Sequence, residues 1–152
     1  MKKVVIVLVF LGCLSLMVIG LSYAGCTDKD KSKGINGLCY PQCVDYVNCK
    51  LGTNHHVMYA KNWWSSPPSG YKKHANGSKN KPGKKDIIVW TNLGKYGHIA
   101  IVESVDSKND TIRISETNLD LNCGYRNDRT LKYHKKDGKY YIDGIAGWLE
   151  KK

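Results

Sequence analysis

The chain has 152 residues, with 24 Lys and Arg against 13 Asp and Glu, a formal charge of +11 and 41% hydrophobic residues. That length suits one domain with a real core and is short for two, and no internal repeat or low-complexity tract divides it. The basic excess fits a polyanionic partner, whether nucleic acid, anionic lipid or a bacterial wall carrying acidic polymers, and does not by itself choose among them.

In chain order, Met1-Lys2-Lys3 is a short basic start and Val4 to Leu21 is almost wholly apolar. Ser22-Tyr23-Ala24 puts small residues where a signal peptidase reads, so 1–24 is expected to be a signal peptide and the protein secreted. The alternatives are a retained membrane helix, since the run is just long enough to span, and a bacterial lipoprotein anchored through Cys26, against which Tyr23 stands where such signals usually carry Leu. Residues 25–37 read as a loose, charged arm, and 38–152 as the folded domain.

Pro41 suits the first turn of a helix that runs through Cys43, Val44, Tyr46 and Val47 and stops at Gly52. A second short helix is expected over His55 to Trp64, closed by Ser65-Ser66-Pro67-Pro68. Ser69 to Lys85, polar and Lys-rich without periodicity, is expected to be a long surface loop. Strands follow over Asp86 to Trp90, His98 to Val105 and Thr111 to Ser115. Leu131 to His134 and Lys139 to Ile142 flank Asp137-Gly138, a strong hairpin signal, and Ile145 to Leu149 closes the series. Helices first and consecutive strands afterwards give an α+β fold with an antiparallel sheet.

Of six cysteines, Cys13 would leave with the signal, and an odd count in an exported chain suggests one free thiol. If that thiol is Cys43, then Cys26, Cys39, Cys49 and Cys123 form two disulfides, in three possible pairings. Cys43 and Cys49 are poor partners, because six helical residues separate them by about 9 Å of rise. A thiol near a helix N-terminus sits in the positive end of the backbone dipole, which favours thiolate. The unpaired N–H of Cys43 can face an oxyanion, and Gln42 offers a side-chain N–H beside it.

Five histidines compete for the role of base. His55, His56, His74 and His134 lie in polar or Lys-rich surroundings and read as surface residues. His98 follows Gly97 and opens an apolar strand, so it can face a helix packed on the sheet. The next strand ends in Ser115-Glu116-Thr117-Asn118, where Glu116 and Asn118 alternate onto one face. Either can bind the second ring nitrogen and fix the tautomer, and the sequence leaves that choice open. Trp63, Trp64, Tyr71 and Trp90 are candidate walls of a substrate groove, and the Lys-rich stretch 72–85 a candidate track for anionic polymer.

The blocks Gln42-Cys43-Val44-Asp45-Tyr46, Asp86-Ile87-Ile88-Val89-Trp90, Gly97-His98-Ile99-Ala100-Ile101-Val102-Glu103-Ser104-Val105 and Ile114-Ser115-Glu116-Thr117-Asn118 resemble, in order, those of a CHAP amidohydrolase/peptidase domain of the NlpC/P60 group. The resemblance covers roughly Leu38 to Leu149. It implies a papain-like α+β fold, Cys43 as nucleophile, His98 as base, and Glu116 with Asn118 completing the site of a peptidoglycan-cleaving cysteine peptidase. Within the group, a compact, basic, cysteine-bearing form is similar to the domesticated amidase effectors of ticks and mites, relatives of the second family of type VI secretion amidase effectors. That kinship implies an antibacterial D,D-endopeptidase cutting the D-Ala to diamino-acid crosslink. Asp28, Asp30 and Asp45 only loosely suggest the calcium loop that some CHAP domains carry, so neither metal nor cofactor is expected.

Two other readings stand beside this one: a protein-directed cysteine peptidase, and a cationic wall- or membrane-binding antimicrobial protein with a vestigial site. Aromatic-basic RNA motifs and a basic amphipathic helix are both missing, which argues against nucleic acid and membrane as partners. A monomer without an obligate protein partner is expected.

Overall fold

A computed structural model describes residues 42–119 and 124–152. The expected signal peptide and arm, Pro41, and Cys26, Cys39 and Cys123 lie outside the described residues. Cys49 is disulfide-bonded.

Helix α1 spans Cys43–Leu51, with Gln42 as its N-cap in extended backbone and Asp45 in its first turn. The Asp45 carboxylate accepts the Gln42 N–H at 3.2 Å, closing the helix start on itself. Helix α2 is one turn, Asn62–Ser65. Seven strands follow: β1 Tyr71–Ala75, β2 Ile87–Trp90, β3 His98–Asp106, β4 Thr111–Thr117, β5 Tyr125–Lys136, β6 Lys139–Ile142 and β7 Gly147–Lys151. They form one sheet in the order β1-β7-β2-β3-β4-β5-β6 with antiparallel pairing throughout.

Two expectations are corrected. The helix over 55–64 shrinks to α2 because the Asn48 side chain holds the preceding segment in irregular backbone. Its Oδ1 accepts the Thr53 hydroxyl at 2.7 Å and the His55 N–H at 3.0 Å, while its Nδ2 donates to the His55 carbonyl at 3.1 Å. Side-chain bonds of this kind offer the backbone an alternative to helix. The expected loop over 69–85 contains β1, which pairs with β7 from Tyr71↔Lys151 to Ala75↔Gly147. Its exposed Lys72 and Lys73 hid the strand, yet lysines are common on sheet edges, where they discourage further pairing.

The sheet curls until its edges meet. The Gly77 N–H donates to the Tyr140 carbonyl at 2.8 Å, and the Tyr140 N–H to the Ser78 carbonyl at 2.7 Å. Asn76 clamps the same seam through its side chain, giving Nδ2 to the Ile142 carbonyl and taking the Ile142 N–H at 2.9 Å each. Strand alternation then divides the apolar residues between two cores. Ile87, Val89, Ile99 and Ile101 pack with Tyr46, Val47, Trp63 and Leu149 on the helix side. Ile88, Trp90, Ala100, Val102, Ile112, Ile114, Tyr133 and Trp148 fill the curl. The Asp137-Gly138 hairpin forms as expected, with both residues at positive φ, 51° and 74°, which matches strand twist.

Helix α1 is fixed to the sheet by a buried polar relay as well as by packing. The Tyr46 hydroxyl donates to Ser115 Oγ at 2.7 Å, and Ser115 Oγ donates to Glu103 Oε1 at 2.5 Å. Burial raises the Tyr46 pKa, so the hydroxyl stays a donor. This relay sets the helix start against the first residue of β3.

Candidate active site

Cys43 is the first residue of α1, two places earlier in the helix than Pro41 suggested, so its N–H belongs to the turn that has no intrahelical acceptor. It is the free cysteine among the described residues. His98 opens β3 and is buried, as are Glu116 and Asn118. Its Nε2 meets Glu116 Oε2 at 2.8 Å, and Cys43 lies close enough to the ring to act on its pKa. With Nε2 occupied by the carboxylate, Nδ1 is the nitrogen left for the thiol.

The His98 pKa moves by opposing causes. Burial lowers it, but the neighbouring Cys43, the hydrogen bond to Glu116 and the negative charge of both outweigh burial, and the net shift is upward. The site therefore favours imidazolium beside the sulfur, the protonation state a thiolate nucleophile needs.

Gly97 makes this approach possible. Its φ is +72°, and a Cβ there would lie 2.5 Å from the Trp90 carbonyl oxygen and 2.8 Å from the Lys61 backbone N. Chain can pass here only without a side chain. The same corner is tied by the Lys61 N–H to the Tyr96 carbonyl at 3.0 Å and by Lys61 Nζ to the Lys95 carbonyl at 3.0 Å.

A family model of the CHAP domain matches residues 33–118, more than half of the chain. The chain belongs to the CHAP domain family. It is similar to staphylococcal secretory antigen SsaA of Staphylococcus epidermidis, 32% identical over 124 residues covering 81% of this chain and 45% of the relative. It is also similar to secretory antigen ssaA2 of Staphylococcus aureus, 32% identical over 70% of this chain and 37% of the relative. The chain thus spans less than half the length of these curated relatives. The crystal structure of the wild-type endolysin LysIME-EF1 shares the fold, with a TM-score of 0.51 at 18% identity over 72% of this chain and 52% of that one.

Within this CHAP domain the two candidate orienters part company. Glu116 binds His98, whereas Asn118 gives its Nδ2 to Gln42 Oε1 at 2.7 Å. With its Oε1 held in this way, the Gln42 amide has a fixed polarity, its Nε2 being the donor end beside Cys43. Asn118 adopts φ 53°, a left-handed conformation that asparagine tolerates better than most residues.

The candidate groove walls separate too. Trp90 stays near the chemistry, its ring 5.6 Å from that of His98. Trp63 and Tyr71 are corrected to core residues: both are buried in the helix-side cluster and have no surface to offer a substrate. Trp64 lies towards the β1–β7 edge, against Gly147 and beneath Lys73 Nζ at 4.7 Å. Among the described residues no group of three or more His, Cys, Asp or Glu is arranged to hold a metal ion.

One residue of the site escaped sequence reading. Arg129 Nη1 lies 3.3 Å from Glu116 Oε1, and its guanidinium stands 4.9 Å from the Trp90 ring centre. It sits in the first half of β5, where the charged run Arg126-Asn127-Asp128-Arg129 shows no strand alternation. Only the pairing of β4 with β5 brings it to Glu116.

Proposed function

We propose that this CHAP domain is the catalytic part of a secreted cysteine hydrolase of peptidoglycan, an antibacterial D,D-endopeptidase that cuts the D-Ala to diamino-acid crosslink. The single observation that carries the reading is the line Cys43–His98–Glu116, with a free thiol on a helix N-terminus and its imidazole backed by a buried carboxylate. The relatives' designation as secretory antigens supports export. The basic surface suits an anionic wall. The arthropod effector branch is proposed on the signal-like start and the four extra cysteines.

In the proposed reaction the Cys43 sulfur adds to the crosslink carbonyl, and the Cys43 N–H and Gln42 Nε2 receive the oxyanion. The C–N bond breaks as His98 imidazolium gives its proton to the leaving amine, which leaves a thioester. Water then adds to that carbonyl while the now neutral His98 takes its proton. Collapse breaks the C–S bond, returns the thiolate–imidazolium pair and frees the new carboxylic acid, which gives its proton to solvent. Glu116 holds the ring through both half-reactions, and Asn118 holds the Gln42 amide.

Digestion of purified sacculi, Gram-negative and Gram-positive, followed by mass spectrometry of the muropeptides, tests the reading. Loss of crosslinked dimers with new D-Ala carboxyl ends is expected, and Cys43→Ala should abolish it. Intact crosslinks beside cleaved protein substrates refute it in favour of a protein-directed peptidase. Bacterial killing that survives Cys43→Ala refutes it in favour of a charge-driven binder.

A further inference from the structure

Glu116 is fully buried, with Oε2 committed to His98 and Oε1 making no hydrogen bond. A carboxylate so far from water needs a second counter-charge, and the Arg129 guanidinium at 3.3 Å from Oε1 supplies it. The contacts close a ring of four side chains from four strands. Arg129 of β5 stacks on Trp90 of β2, Trp90 lies against His98 of β3, His98 binds Glu116 of β4, and Glu116 returns to Arg129. Strand alternation puts all four on the face of the curl, with Cys43 reaching His98 from α1. Arg126 is the residue across from Glu116 in the β4–β5 register. Arg129 also lies beyond residues 33–118, the stretch matched by the family model.

We propose that Arg129 is a positioning residue for the Cys43–His98 pair, pinning Glu116 Oε1 so that Oε2 stays on His98 Nε2 and Nδ1 is left for the thiol. It touches neither sulfur nor imidazole and acts through Glu116 and Trp90. Lysine could replace the charge but not the planar stack on Trp90. The inference rests on the proposed thiol–imidazole site, not on the identity of the substrate.

The test is substrate-free: alkylation of Cys43 in the full, disulfide-intact chain by iodoacetate, followed from pH 4 to 10 and located by peptide mass spectrometry. The sulfur displaces iodide, and the anionic reagent reacts fastest where thiolate and imidazolium coexist, so the rate profile is a bell whose upper limb reports His98. Arg129→Ala should move that limb down by about one pH unit, roughly a tenfold loss of rate on that limb. Glu116→Gln should move it the same way, and the double variant should match Glu116→Gln alone. Arg129→Lys should recover part of the shift. Arg113→Ala removes an exposed charge from β4, whose guanidinium bonds Ser104 and the Asn127 carbonyl, and should leave the bell in place. An unmoved or raised limb in a folded Arg129→Ala or Arg129→Lys protein, checked by near-ultraviolet circular dichroism, overturns the proposal, as does additivity with Glu116→Gln. A wild-type profile with no upper limb overturns the thiol–imidazole site and the proposal together.

Discussion

Replacing Asp86 with Asn should stabilise the fold at neutral pH and do almost nothing in acid. Asp86 is 7% exposed, just ahead of β2, and accepts the Gly83 N–H at 2.8 Å. Burial raises its pKa from 3.8 to about 6, the Gly83 bond opposes that shift, Glu150 adds to it and His74 subtracts from it. A carboxyl raised in this way binds its proton more tightly in the native state than in the unfolded chain. Its contribution to stability is therefore whole below pH 3.8 and is lost as pH rises through about 6. A rise of this size corresponds to about 3 kcal/mol between the two limits. Asn is neutral throughout, matches the volume and can still accept from Gly83. Urea unfolding of both proteins at pH 4.0 and 7.5, disulfides intact, measures the difference. The Asp86→Asn protein should gain about 2–3 kcal/mol at pH 7.5 and less than about 0.5 kcal/mol at pH 4.0. A difference that is the same at both pH values, or a variant less stable at pH 7.5, would refute the reasoning.

Other outcomes follow from the same contacts. Glu116→Gln keeps the shape beside His98 but removes the charge, and should lower kcat on peptidoglycan by about a hundredfold or more with little change in KM. Tyr46→Phe removes the donor to Ser115 and should cost about 1 kcal/mol in urea unfolding, with a smaller loss of activity as α1 loosens. Gly97→Ala meets both a positive φ and the Trp90 carbonyl, so it should cost about 3 kcal/mol or more and depress Cys43 reactivity as β3 shifts. Asn118→Ala removes the Nδ2 donor to Gln42 Oε1 and should reduce kcat while leaving iodoacetate reactivity of Cys43 nearly native.

Local pattern alone was enough for several elements. Helix α1, the apolar alternation of β2 to β4 and the Asp137-Gly138 turn follow from periods and turn residues that neighbouring positions enforce. Such a pattern also brought Cys43, His98 and Glu116 into view, because a helix start, a strand start and the end of the next strand are local addresses. The choice between Glu116 and Asn118 was not local. Both face one way on a strand, and only the packing of α1 against β3 and β4 gives His98 to one and Gln42 to the other. Strand β1 and the short α2 were hidden for a related reason: β7 and Asn48 decide them from a distance, against the preferences of the segments themselves. Arg129 is the furthest case. A charged residue on a strand without alternation carries no sign of its partner, and the register of β4 on β5, with the curl that brings Trp90 alongside, is what turns it towards the buried carboxylate. The sequence by itself determined the candidate site residues and their order along the chain. The tertiary structure alone decided how the charges behind them are paired, because pairing in a sheet joins residues whose separation in sequence encodes nothing about their contact.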